Sequence, residues 1–175
     1  MDTSGIMETV ATSLETHPLY DKWVLWAHLP HDTDWTVKSY KKIMNVHSVE
    51  EMVSLYSAIP EKLVKNCMLF LMREGINPMW EDPQNRQGGC FSFKVPNKTV
   101  HNVWKQLSYI LVGETLTNDC RLLKLINGIT ISPKKAFCII KIWLKNCSMQ
   151  NPMQLTAVPG LSIHGCLFKR HKPEF

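Results

Sequence analysis

Several features that would define a protein class are absent from this sequence. No apolar run approaches the ~18 residues that a membrane-spanning helix requires, and the first residues carry no signal-peptide pattern. The six cysteines include no C-x-x-C pair, and there is no repeat or low-complexity tract. These absences argue against a membrane protein and against a zinc or disulfide module. We expect mostly buried thiols in a protein of the cytoplasm, or of the cytoplasm and the nucleus.

What the sequence does contain is typical of a globular chain. It has 175 residues, of which 45% are hydrophobic, and a net charge of +5. That length suits one domain with a sizeable core, and the mild positive charge favours an anionic partner. The polar first residues predict a flexible arm over 1–16, followed by one folded domain over 17–175. His164 and Cys166 are too isolated for a metal site, and we expect neither a metal nor a cofactor.

Hydrophobic periodicity predicts an α+β fold. Ser48 and Glu51 have the spacing of a capping box, and apolar residues at helical spacing follow them. A second amphipathic helix follows Asn97 or Thr99, and a short helical stretch lies in 151–160. Antiparallel strands with segregated helices make an α+β domain. The predicted strands cover residues 23–29, 39–47, 67–74, 90–95, 120–131, 136–144 and 161–168.

Two tryptophans lie in polar loops, where a core residue would be out of place. Trp35 follows a His-Asp-Thr-Asp run, and Trp80 directly precedes Glu81 in a proline-flanked loop over 75–83. An indole beside a carboxylate suits a flat, positively charged ligand, because the ring stacks on the ligand and the acid accepts its N–H donors. A 7-methylated guanine has these properties. The alternative is that Trp80 caps the core from its loop.

Short motifs along the chain occur in an order that is specific when they are taken together. The motifs are His17-Pro18-Leu19, Trp23-Val24-Leu25-Trp26, Asp34-Trp35, Val49-Glu50-Glu51 with Leu55-Tyr56, the 75–83 loop, Gly88-Gly89, Val112-Gly113-Glu114 and Lys141-Ile142-Trp143. With these motifs in this order, the sequence resembles a divergent member of the eukaryotic translation initiation factor 4E family, which binds the mRNA 5′ cap. The resemblance covers roughly residues 17–145 well and the tail poorly.

The resemblance implies a fold and a site. The fold is a single curved antiparallel β-sheet with two to three helices on its convex face and cap-binding loops on the concave side. Trp35 and Trp80 would sandwich the 7-methylguanosine, and Glu81 would accept its N–H donors. Basic residues of the 132–135 turn and the C-terminal tail would contact the cap triphosphate; they are Lys134, Lys135, Lys169 and Arg170. The alternative for the turn lysines is a solvated role alone.

On the helical face, the resemblance implies a surface for a scaffold initiation factor or a repressor peptide. Val53 stands where the family carries a tryptophan, and Lys105 and Tyr109 stand where aliphatic residues are usual. We therefore expect a different partner or a reshaped contact. The complete predicted surface is His17, Pro18, Leu19, Val49, Val53, Lys105, Tyr109 and Gly113.

The sequence thus predicts a binding protein that recruits capped mRNA for translation initiation. One alternative is a cap-binding repressor, or a repurposed variant such as a viral one, that does not use the standard scaffold. A second is an enzyme with Cys90 as nucleophile and His101 or His164 as base, but no recognisable catalytic signature joins these residues. A third is a protein-interaction module whose pocket is inactive.

Overall fold

A seven-stranded sheet forms the body of the computed structural model, which describes residues 15–172. Its order is β2-β1-β3-β5-β6-β4-β7, and each neighbouring pair is antiparallel. The predicted α+β class with a curved antiparallel sheet is confirmed. The strands are β1 (Pro18–His28), β2 (Tyr40–Ser48), β3 (Met68–Arg73), β4 (Gly89–Pro96), β5 (Ile126–Pro133), β6 (Phe137–Leu144) and β7 (Leu167–Arg170).

Within residues 15–172, four α-helices accompany the sheet. They are α1 (Val49–Ala58), α2 (Glu61–Asn66), α3 (Val100–Val112) and α4 (Cys120–Leu123). Helix α3 packs on β1, β5 and β6, and α2 packs on α3 and β5. Helices α1 and α3 are the two that the periodicity predicts, and the two helices beyond them are short.

The sheet buries apolar side chains on both faces. Trp23 and Trp104 are fully buried in the main core between the sheet and the helices. Strand alternation turns Trp26 to the opposite face, which we call the concave face, where it packs on a small cluster around Phe70 and Trp143. Trp23 and Trp26, three residues apart in β1, therefore pack on opposite faces of the sheet.

The capping box at the start of α1 forms as the sequence predicts. Ser48 Oγ accepts a hydrogen bond from the Glu51 backbone N–H, and the Glu51 carboxylate accepts one from the Ser48 N–H, both at 3.2 Å. Two otherwise unpaired donors of the helix end are thereby satisfied. This cap fixes where β2 ends and the helical face begins.

The strand predicted over 120–131 is wrong in its first part. Asp119 caps a single helical turn there, and its carboxylate accepts a hydrogen bond from the Arg121 backbone N–H at 2.9 Å. The chain therefore enters the sheet only at Ile126. A local side-chain cap outweighed the loose apolar alternation of this stretch.

The last predicted strand, over 161–168, is also wrong in its first part, because the chain joins the sheet only at Leu167. Gly160 has a φ of +87° and Gly165 a φ of +82°, left-handed conformations that break an extended run. A Cβ on Gly160 would lie 2.5 Å from a methyl group of Val103, so this loop sits tightly on α3.

Residues 1–14 and 173–175 lie outside the described residues, and so does most of the predicted N-terminal arm. Within 15–172, no helix is long and apolar enough to cross a membrane, and no group of three His, Cys, Asp or Glu residues could hold a metal ion. Of the six cysteines, three are buried and Cys120 is exposed, so the expectation of mostly buried thiols is met only in part.

Candidate functional site

A cleft of about 260 Å³ opens on the concave face. The loops before β2 and after β3 form its walls, and residues of β2, β3 and β6 form its floor. Three of its lining residues, Trp35, Trp80 and Glu81, are those that the sequence predicts for the ligand site. The full lining is Trp35, Tyr40, Met68, Phe70, Pro78, Met79, Trp80, Glu81 and Trp143.

Trp35 is held by stacking on a buried histidine. The Trp35 and His28 rings lie 4.0 Å apart at an angle of 2°, and His28 Nε2 pairs with the Asp34 carbonyl at 2.8 Å. The Trp35 side chain nevertheless remains 53% exposed. His28 covers one face of the indole, so a planar ligand could stack only on the other face.

Trp80 and Glu81 project from a loop that buries two of its other polar side chains. Trp80 is 40% exposed, whereas Asp82, two residues later, is 7% exposed and Asn85 is completely buried. The indole is therefore open to a ligand while its backbone is fixed from beneath. The Glu81 residue is also exposed, and its carboxylate is close enough to Tyr40 for its charge to raise the pKa of that phenol.

The cleft floor is aromatic. Tyr40 meets Phe70 edge to face, with ring centroids 5.3 Å apart. Burial, and then the charge of Glu81, raises the pKa of Tyr40, so the phenol stays neutral and can donate a hydrogen bond. Trp143 is 8% exposed and donates its Nε1–H to Thr130 Oγ1 at 3.1 Å. Such a floor can pack against the edge of a flat ring.

Two lysines lie on the same sheet face beside Trp143. Lys141 precedes Trp143 by two residues in β6, so strand alternation puts both side chains on the concave face. Cys90 pairs with Trp143 on one side and with Lys169 on the other. Burial raises the pKa of the Cys90 thiol, and the charges of Lys141 and Lys169 oppose that rise, which places both ammonium groups near Cys90.

The other predicted phosphate contacts lie elsewhere. Lys134 and Lys135 are at the hairpin turn before β6, and the strand alone rises about 20 Å from Phe137 to Trp143. Arg170 follows Lys169 in β7, so alternation directs it to the opposite face of the sheet. None of the four predicted basic residues lines the cleft itself.

The helical face carries a second concavity, an apolar groove of about 270 Å³ between α1 and α3. Val49 and Val53 are 46% and 50% exposed there, unusual for aliphatic side chains. Five residues of the predicted partner surface line it, together with Met52 and Val112. Those five are Leu19, Val49, Val53, Tyr109 and Gly113.

The remaining residues of the predicted partner surface lie around the groove. His17 is bound to Glu50, with its Nδ1 2.6 Å and its backbone nitrogen 3.0 Å from the carboxylate oxygens. These bonds lower the pKa of Glu50 to about 2. Pro18 begins β1, and Lys105 Nζ lies 5.8 Å from the centre of the Tyr109 ring. The structure therefore assembles the predicted surface in one region.

The family model for eukaryotic initiation factor 4E matches residues 18–161, most of the chain. The chain belongs to the eukaryotic initiation factor 4E family. Among relatives, it is 27% identical over 157 residues to translation initiation factor 4E of Candida albicans, covering 84% of this chain and 73% of that protein. It is 47% identical over 62 residues to the 4E homologue of Acanthamoeba polyphaga mimivirus, covering 35% of this chain and 23% of that protein.

A solved 4E-family structure has the same fold. Caenorhabditis elegans eIF4E-3, in complex with the 4E-binding protein Mextli and a cap analog, superposes with a TM-score of 0.68 at 27% sequence identity. The match covers 75% of this chain and 76% of that chain.

Three residues in or behind the cleft of this 4E-family protein escaped the sequence prediction of the site. Trp143 reads as a core residue because it lies in an apolar strand, yet it faces the cleft. Only the register of β6 separates its face from that of its buried neighbours. Asn85 and Asn127 bond to each other over 42 positions of sequence, and no local pattern signals such a pair.

Proposed function

We propose that this protein binds the 7-methylguanosine 5′ cap of mRNA and recruits mRNA for translation initiation in the cytoplasm. The observation that carries the proposal is the single cleft that joins Trp35, Trp80 and Glu81. Family membership supports it, and so does the cap analog named in the complex of the worm neighbour.

In the proposed complex, Trp35 and Trp80 stack on the two faces of the methylated base. Stacking contributes roughly 1–3 kcal/mol per base, and the positive charge of the ring adds a cation–π contribution of up to about 2 kcal/mol. The Glu81 carboxylate accepts the N1–H and N2–H donors of the base. Unmethylated guanine lacks the positive charge, so discrimination against it is electrostatic.

The triphosphate would leave the cleft beside Trp143. Lys141 and Lys169 share that face and stand nearest to the path, so they are the first phosphate contacts in this proposal. Lys134 and Lys135 would meet only RNA that extends farther along β6. Arg170 would contribute through the general positive field of β7.

Binding accounts for the whole site, and the proposal includes no chemical turnover. The strongest candidate nucleophile, Cys90, is 4% exposed. Burial raises the pKa of its thiol, which disfavours the reactive thiolate.

Tryptophan fluorescence during titration with 7-methyl-GTP, and separately with GTP, tests the cap proposal. We expect strong quenching by the methylated nucleotide, with micromolar or tighter affinity, and binding of GTP that is weaker by about tenfold or more. Equal affinity for the two nucleotides would overturn the proposal and direct attention to the helical face.

A repressor or repurposed variant is the second candidate function, and Val53 is the observation that favours it. The proposed occupant of the apolar groove is a helical peptide of a scaffold factor or repressor, but Val53 offers less area than the tryptophan usual in the family. Titration with a scaffold-motif peptide separates the two functions. Tight binding supports the initiation factor, whereas weak binding that Val53→Trp restores supports the variant.

A further inference from the structure

Behind the cleft lies a network of buried polar side chains that no sequence motif signals. It comprises the buried Asp82, Asn85 and Asn127 and the half-buried His171. Asn85 is 0%, Asn127 3% and Asp82 7% exposed. Burial of amides and carboxylates is unfavourable unless their polar atoms are hydrogen-bonded, so the partners of these groups define what the network does.

Asn85 uses every polar atom of its side chain. Its Nδ2 donates to the carbonyls of Asn77 at 3.1 Å and Met79 at 2.9 Å, and its Oδ1 accepts from Asn127 Nδ2 at 2.9 Å. Met79 directly precedes Trp80. The Asn85 amide therefore fixes the peptide from which the Trp80 indole projects into the cleft.

Asp82 and Asn127 complete the support of this loop. The Asp82 carboxylate accepts from the backbone N–H groups of Asn77 at 2.9 Å and Gln84 at 2.8 Å. Asn127, which belongs to β5, also donates to the Gln84 carbonyl at 2.8 Å. The loop is closed on itself and anchored to the centre of the sheet.

His171 extends the network to Trp143, the tryptophan of the cleft floor. Its Nδ1–H donates to the Asn85 carbonyl at 2.8 Å, and its backbone N–H donates to the Gly88 carbonyl at 2.9 Å. Its ring packs on Trp143, with centroids 4.5 Å apart and a tilt of 49°. The residue after β7 is thus in contact with both the ligand loop and the cleft floor.

We infer that Asn85 and His171 are positioning residues that hold the indoles of Trp80 and Trp143 in the orientation that contacts the ligand. Neither lines the cleft, so both act through the indoles that do. The role of this positioning in ligand binding rests on the proposed cap-binding function. The dependence of the two indoles on Asn85 and His171 can be tested without any ligand.

The indole Nε1–H signals of the 15N-labelled free protein, assigned by single Trp→Phe variants, test the inference. Asn85→Ala removes the hub of the network. His171→Phe removes the Nδ1–H donor but keeps a ring against Trp143, so it creates no cavity there. Asn66→Ala is the matched control, because Asn66 is an exposed amide bonded only to the Lys62 carbonyl at 2.7 Å.

We expect Asn85→Ala to shift or broaden the Trp80 signal and His171→Phe to shift the Trp143 signal. The signals of Trp23 and Trp104, buried on the other side of the sheet, serve as internal standards and should stay in place. Affinity for 7-methylguanosine should fall about tenfold in Asn85→Ala and about threefold in His171→Phe, as for lost buried hydrogen bonds. Asn66→Ala should leave every signal and the affinity unchanged.

Unmoved Trp80 and Trp143 signals would overturn the inference, and so would equal changes at all indoles in His171→Phe, since that would mean general loosening. If Asn85→Ala does not fold, the His171→Phe spectrum decides alone. A wild-type protein that fails to bind 7-methylguanosine while its indoles respond as expected would refute the proposed function and leave the positioning role supported.

Discussion

The two loops that carry the proposed stacking residues are held in different ways. The side-chain bonds of the Trp35 loop are local and exposed: Asp34 accepts from the Thr36 N–H and hydroxyl, at 2.8 and 3.0 Å. One buried side chain, His28, also bonds the Asp34 carbonyl. The Trp80 loop is braced by buried amides, one of them from a distant strand. Exposed local bonds contribute little, whereas buried ones are expensive to lose. Trp80 is thus fixed by its backbone, and Trp35 by stacking on His28.

The largest expected effect comes from removing either indole. Trp35→Ala and Trp80→Ala should each lower the affinity for 7-methylguanosine by about tenfold or more, the equivalent of one lost stacking contact. Trp35 is 53% and Trp80 40% exposed, so both variants should remain folded, with a lower thermal midpoint from the apolar area that is lost. Calorimetric titration gives the affinities. Tyr20→Ala, at an aromatic residue that is 87% exposed, is the control, and wild-type affinity in both tryptophan variants would refute the sandwich.

The next largest effect is on binding of the cap triphosphate. Replacing Lys141 and Lys169 together by alanine should reduce affinity for 7-methyl-GTP by about tenfold at low salt, since the two charges together contribute on the order of 1.4 kcal/mol. Affinity for 7-methylguanosine itself should not change. The same pair of substitutions at Lys134 and Lys135 is the matched comparison. A larger loss of affinity for 7-methyl-GTP in that second variant would place the phosphate site at the hairpin turn instead.

A smaller effect sharpens the contrast between the loops. Asp34→Ala removes the exposed brace of the Trp35 loop but leaves the stacking of Trp35 on His28. We expect affinity for 7-methylguanosine to fall only about two- to threefold, as for one exposed hydrogen-bonded group. Fluorescence titration beside Asn85→Ala measures the difference. If the two variants lose affinity equally, burial is not what distinguishes the loops.

The smallest expected effect is on stability at acid pH. Burial lowers the pKa of His171 below its ordinary value, so the folded protein binds this proton less readily than the unfolded chain. The contribution of neutral His171 to the free energy of unfolding is therefore complete above the ordinary histidine pKa of about 6.5. It is lost as the pH falls below that value. The midpoint temperature of thermal unfolding should therefore decrease more steeply between neutral pH and about pH 5 in wild type than in His171→Phe. Parallel curves would contradict this.

The sequence predicted what local patterns control. The capping box of Ser48 and Glu51, the helix that buries Trp104 and the two strands that meet at the 132–135 turn follow from spacing and turn residues, although the first of these strands begins later than predicted. The helical turn at Cys120–Leu123 was missed because its cap competes with a weak strand pattern.

The candidate site was predictable only where a residue looked misplaced. Trp35 and Trp80 stood out as aromatics in polar loops, and the structure brings both to one cleft. Trp143 and Lys141 belong to one of the family motifs but did not stand out as site residues, because a strand with apolar residues on both faces gives no sign of which face holds the cleft. The contact of Asn85 with Asn127 depends on the completed sheet, so it is a property of the fold and not of any segment.

The most direct test of the central claim is the response of the indole Nε1–H signals to added 7-methylguanosine, with guanosine as the comparison. A base stacked between Trp35 and Trp80 should shift both signals by its ring current at concentrations where guanosine has little effect, while Trp23 and Trp104 stay in place. Shifts at only one of the two loop indoles, or equal shifts with guanosine, would contradict the account.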